Sequence, residues 1–119
     1  MSEITIYHNP NCSKSREALK LLLEQGVKPN VIHYLQTPPD AGTLERLLQL
    51  LNMAPIDLVR KKEDLFQELD IEKKHPNSKQ LIKIMVENPI LIERPIVIKG
   101  NKALIGRPPD KVLTLIDNK

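Results

Sequence analysis

The sequence predicts an α/β fold: a four-stranded mixed sheet with a helical subdomain inserted between strands 2 and 3. Three observations predict it. Residues 4–35 run strand, helix, strand over a distance that fits a right-handed parallel crossover. Residues from about 40 to 88 then carry helical periodicity and no strand pattern. Residues 95–105 return to strand character around a tight turn, and a final helical segment follows.

Ile4 to Tyr7 is apolar and β-branched, as a buried first strand requires. The helix after Cys12 carries Ala18, Leu19, Leu22 and Leu23 at helical spacing until Gly26 stops it, and Val31 to Leu35 reads as the second strand. Thr37-Pro38-Pro39-Asp40 marks a break, with Thr37 or Asp40 as the cap of a helix whose apolar face is Leu44, Leu47, Leu48 and Leu51. More helix is expected from about Pro55, through Ile56, Leu58, Val59, Leu65, Phe66 and Leu69. The apolar run Leu81 to Val86 is ended by Asn88-Pro89. Pro95 to Ile98 and Ala103 to Ile105 form a hairpin around residues 99–102, and Val112, Leu113, Leu115 and Ile116 belong to the closing helix. This order is the thioredoxin or glutaredoxin layout, in which an active thiol follows the first strand. Pro95 stands where such folds place a cis proline facing that thiol.

The 119 residues make a single domain, long enough to bury a core without a disulfide or a structural metal. One cysteine excludes an internal disulfide, so redox chemistry at this thiol must take its second sulfur from another molecule, and a reducing compartment is the natural setting. Met1-Ser2-Glu3 leads straight into the first strand without room for a secretory signal, and no apolar run is long enough to span a bilayer. A soluble, cytoplasmic protein without a membrane partner is expected. Lysine and arginine total 18 against 15 acidic residues, a mild bias towards anionic ligands. Tyr7, Tyr34 and Phe66 are the only aromatics, and the basic clusters at 60–62 and 73–75 are broken by acidic neighbours. Stacking platforms are missing, so nucleic acid is not an expected partner. Three scattered histidines and one cysteine form no metal site.

The chemistry concentrates at His8-Asn9-Pro10-Asn11-Cys12-Ser13-Lys14-Ser15-Arg16. A cysteine at a helix start meets backbone N–H groups and the positive end of the helix dipole, both of which favour the thiolate. His8, Lys14 and Arg16 are expected to add to that field. An isolated cysteine is more often a small buried hydrophobe, but its neighbours here are turn-forming or polar, which favours a reactive thiol. Ser15 occupies the position of a resolving cysteine in a Cys-x-x-Cys motif, so only monothiol chemistry is open.

With Arg60, Arg94-Pro95 and Arg107-Pro108 added to that motif, the chain resembles the glutaredoxin-linked arsenate reductases, and the resemblance runs through nearly its whole length. It also takes in His33-Tyr34-Leu35, Val59-Arg60-Lys61 and residues 89–97. The resemblance implies that Cys12 attacks the arsenic of bound arsenate and that His8 lowers the pKa of Cys12. It further implies that Arg60, Arg94 and Arg107 bind the oxyanion, with Asn9, Ser15 and Pro95 shaping the site. No bound cofactor is implied. Glutathione acts as co-substrate, glutaredoxin removes the glutathione, and arsenite is released. The Ser13-Lys14 pair is that of a broadly distributed branch of the family. Arginine suits the task on its own physical merits, since it stays charged and grips two oxygens at once. Two rival readings follow: a monothiol glutathione-dependent oxidoreductase acting on mixed disulfides, and a non-enzymatic RNA-polymerase-binding regulator of the same fold. The regulator's relatives use a two-cysteine switch that this chain cannot form. His33, within the second strand, reads as a packed or edge residue.

Overall fold

The computed structural model describes residues 3–116, so the expectation drawn from Met1 and Ser2 lies outside the described residues. The chain order is β1 (Ile4–His8), α1 (Ser13–Glu24), β2 (Asn30–His33), α2 (Ala41–Leu51), α3 (Pro55–Leu58), α4 (Asp64–Glu68), α5 (Ile71–Lys74) and α6 (Ser78–Glu87). It continues through a 3₁₀ turn (Pro89–Leu91), β3 (Ile96–Lys99), β4 (Lys102–Ile105), a second 3₁₀ turn (Pro109–Val112) and α7 (Leu113–Ile116). Two compact units result: a sheet unit of residues up to Thr37 and from Arg94, and a helical unit of Pro38–Glu93. The inserted unit is wider than the expected 40–88 because residues 89–93 fold back onto it: Val59 and Ile92 form an antiparallel bridge.

In the sheet unit the strand order is β2-β1-β3-β4. β1 pairs in parallel with β2, so that His8 lies opposite His33, and antiparallel with β3, so that Tyr7 lies opposite Ile96. β3 and β4 form the antiparallel hairpin, with Ile96 opposite Ile105. The parallel crossover is covered by α1, which buries Ala18 and Leu22 in a core with Ile4, Ile6, Val97, Val112 and Leu115. Each fully buried aliphatic side chain of this kind contributes about 1.5–3 kcal/mol. Gly26 closes α1 at φ +78, a left-handed turn that lets the Val27 N–H reach back to the Leu22 carbonyl at 3.0 Å. β2 ends at His33 rather than at Leu35, because the His33 carbonyl accepts the N–H groups of both Gln36 and Thr37 and the chain turns there. β3 begins one residue after Pro95, which has no N–H to give to a ladder.

In the helical unit Asp40, not Thr37, caps α2: its Oδ1 accepts the Thr43 N–H at 2.7 Å. Leu44, Leu47 and Leu48 are buried on one face of α2, which packs on α6 with its buried Leu81, Ile82 and Met85. Asn77 and Gln80 form a reciprocal capping box at the start of α6. The stretch from Pro55 breaks into three helices of four or five residues. Asp70 and His75, on either side of α5, are both left-handed, and this interrupts the periodicity. Among the described residues, no helix is long and apolar enough to cross a membrane.

Candidate active site

Cys12 sits four residues beyond the end of β1, after a turn closed by the Cys12 N–H donating to the Asn9 carbonyl at 3.0 Å. It is itself the residue that caps α1, extended at φ −103, and its carbonyl accepts the Arg16 N–H. Its sulfur therefore stands where a serine or aspartate oxygen would receive the orphan N–H groups of the first turn. As a thiol it makes no formal capping bond. The N–H groups of Ser15 and Lys14 nevertheless act on it, and the charged form benefits most.

The residue is 9% exposed. Burial pushes the thiol pKa up, but the Ser15 N–H, a hydrogen bond and the charge of Arg94, and the Lys14 N–H together outweigh it. The net result is a pKa below the ordinary value. Arg107 adds an Nη2–H donor 3.6 Å from Sγ, while its Nε donates to the Arg94 carbonyl at 2.8 Å.

The hairpin register brings these two arginines together from positions 13 residues apart. Ile96 opposes Ile105, so Arg94-Pro95 and Gly106-Arg107 extend from the same open end, joined by the Gly106 N–H to the Pro95 carbonyl at 2.9 Å. Because β3 also lies beside β1, that end adjoins the loop carrying Cys12. Gly106 permits the close approach: a Cβ there would lie 2.9 Å from Pro95 Cγ. The Arg94-Pro95 bond is cis, as the layout suggested, and so is Arg107-Pro108, which sequence reasoning did not foresee.

Behind the sulfur lies a buried polar cluster. Ser15 is fully buried; its Oγ is 2.6 Å from His8 Nδ1 and accepts the Asn9 N–H at 3.0 Å. Asn9 Oδ1 in turn accepts the Asn11 N–H at 2.9 Å, which fixes the turn before Cys12. His8 is buried too. Burial, then the nearby charges of His33 and Arg16, hold its pKa below 6.5. This goes against the expectation that His8 adds positive charge beside the thiol: the charged form of the ring is disfavoured, and the ring meets Ser15, whose N–H acts on Cys12. Arg16 is exposed and donates to the Pro10 carbonyl, so it braces the loop.

Arg60 belongs to the helical unit. The Val59–Ile92 bridge, with Arg60 N–H to the Leu91 carbonyl and Glu93 N–H to the Leu58 carbonyl, sets Arg60 next to Glu93. Its Nε pairs with Glu63 at 2.9 Å and its Nη1 with Glu93 at 3.2 Å. The helical unit also has a cavity of about 730 Å³ floored by Phe66, Ile71 and Leu81, and none of the thiol residues lines it.

His33 is exposed on the edge strand β2 and packs edge-on to His8, ring centroids 5.9 Å apart, as the parallel pairing that sets residues 8 and 33 opposite places it.

Against known proteins, a model of the ArsC family matches residues 7–115. The uncharacterized protein YfgD of Escherichia coli (strain K12) is 52% identical over 96% of this chain and 97% of its own. An arsenate reductase of Neisseria meningitidis serogroup A is 42% identical over 94% of this chain and 97% of its own. The solved structure of an arsenate reductase from Vibrio cholerae superposes with a TM-score of 0.90 at 46% identity, covering 95% of this chain and 97% of its own.

Proposed function

This chain belongs to the ArsC family, and from that premise we propose that it reduces arsenate to arsenite through the Cys12 thiolate, with glutathione and glutaredoxin as the electron source. The observation that carries the reading is the convergence of two guanidinium groups, Arg94 and Arg107, on one sulfur whose pKa is lowered. An anionic nucleophile and an anionic substrate repel each other. Arginines shared between them cancel that repulsion and stay charged throughout.

The thiolate attacks arsenic and a water-forming oxygen leaves, so a sulfur–arsenic bond replaces an oxygen–arsenic bond. Glutathione supplies the second thiol. The two electrons that take arsenic from the +5 to the +3 state come from the two sulfurs, which are left as a disulfide for glutaredoxin to reduce. A chain with a single cysteine needs such an outside thiol, and the cytoplasm keeps both reduced. His8 holds Ser15, and Ser15 holds the N–H aimed at the sulfur. Asn9 and Pro95 shape the loop and the wall beside it. Arg60 enters as a third oxyanion ligand on the strength of the family resemblance.

The test is a coupled assay with arsenate, glutathione and glutaredoxin, run beside a glutathione mixed-disulfide substrate. Arsenite formation that depends on Cys12 supports the proposal. Turnover of the mixed disulfide without arsenite assigns the protein to monothiol oxidoreduction instead.

A further inference from the structure

His8 and His33 differ in one respect that matters for the thiol. They lie opposite each other at the ends of paired parallel strands, with rings 5.9 Å apart and inclined at 66°, yet His8 is buried and His33 is exposed. Two imidazoles this close repel each other when both are charged, and the buried His8 ring already bears a desolvation cost for a proton.

We propose that His33 is a positioning residue for Cys12: set edge-on against His8, it opposes a positive charge on that ring, so that His8 keeps its bond to Ser15 as the medium acidifies. The inference rests on the reading of Cys12 as the working thiol. It goes beyond that reading by assigning a task to a residue outside the thiol loop and the arginines.

The chain of contacts is short. His33 faces His8, His8 Nδ1 meets Ser15 Oγ at 2.6 Å, and the Ser15 N–H lowers the pKa of Cys12. Ser15 Oγ already accepts the Asn9 N–H. A neutral His8 can accept the hydroxyl proton at Nδ1, whereas a charged His8 must donate there, and Ser15 would have to turn its proton elsewhere. Holding His8 neutral thus preserves one arrangement of the pair. The charged groups that act on His8 are His33 from β2 and Arg16 from α1, and both disfavour its charged form. On the β3 side the register sets Tyr7 opposite Ile96, so that His8 comes next to Pro95, and the nearest charged residue along that strand is Arg94, which acts on Cys12.

The experiment follows the ring resonances of His8 by NMR through a pH titration of the whole protein, in the parent, His33→Leu and His33→Lys. His33→Leu removes the competing charge, and the midpoint of His8 is expected to rise by about half a pH unit or more. His33→Lys keeps a charge throughout the range in which a histidine titrates, and the midpoint is expected at or below that of the parent. The rate of Cys12 alkylation, measured over the same range, is expected to change its acid limb in His33→Leu and to be restored by His33→Lys. Equal His8 midpoints in all three proteins, or midpoints that move together in both variants, would overturn the proposal, because a role in packing alone has no sign. Failure of arsenate reduction with these shifts intact would sink the arsenate reading and leave the histidine pair standing.

Discussion

The sheet unit and the helical unit handle polar groups in opposite ways. All four buried polar or charged residues among those described, His8, Asn9, Ser15 and Arg94, lie in the sheet unit. In the helical unit the polar contacts are short-range and open to solvent, as in Asp40 with Thr43 and the Asn77–Gln80 box, or half-buried, as in Arg60 with Glu63 and Glu93. Burying a polar group costs free energy unless every partner is supplied. A fold that concentrates such groups behind one cysteine has placed them where chemistry needs them, while the helical unit follows the ordinary rule of apolar inside and polar outside.

The strongest test of that contrast is Cys12→Ser. Arsenate reduction is expected to fall at least about 1,000-fold, since a hydroxyl is a far poorer nucleophile at neutral pH. Arsenite production at the parental rate would remove Cys12 from the reaction.

Next in size is Arg94→Lys, which keeps the charge but loses the planar fork and is expected to cost about 100-fold in rate. Arg60→Lys is the informative companion. A comparable loss would mean that the helical unit supplies an oxyanion ligand. Parental activity would confine the grip on the anion to the sheet unit.

Ser15→Ala leaves His8 Nδ1 and the Asn9 N–H without their shared partner. The expected cost is about 1–3 kcal/mol in denaturant unfolding, with the alkylation midpoint of Cys12 moved upward. Asn77→Ala, in the helical unit, is expected to lose about 1 kcal/mol from its cap and to leave that midpoint where it was. A midpoint that moved equally in both variants would erase the distinction between the units.

The smallest effect is the pH dependence of stability. Cys12 has a folded pKa below 9.0, so between the two values the unfolded chain holds a proton that the folded chain has released. The contribution is complete above 9.0 and is lost as pH falls through the folded value. His8 behaves similarly lower down: below 6.5 the unfolded chain takes up a proton that the buried ring resists, and stability falls with pH. Unfolding curves across these windows should flatten at the alkaline end in Cys12→Ser and at the acid end in His8→Gln.

The sequence by itself determined the elements and the thiol. The strand, helix, strand run, the leucine face of α2, the hairpin and the cysteine at a helix start all follow from periodicity and turn residues, which are local properties of the chain. Local pattern could not give the ends of β2 and β3, where a carbonyl shared by two N–H groups and a proline without one decide the boundary. Nor could it divide the arginines. Arg94 and Arg107 reach the sulfur because hairpin register and sheet order bring them there, while Arg60 is held by two glutamates, one of them 33 residues away. The charge on His8 was likewise out of reach. An isolated histidine would take a proton near neutrality, and only the burial of its ring and the placement of His33 beside it, both products of tertiary packing, decide otherwise.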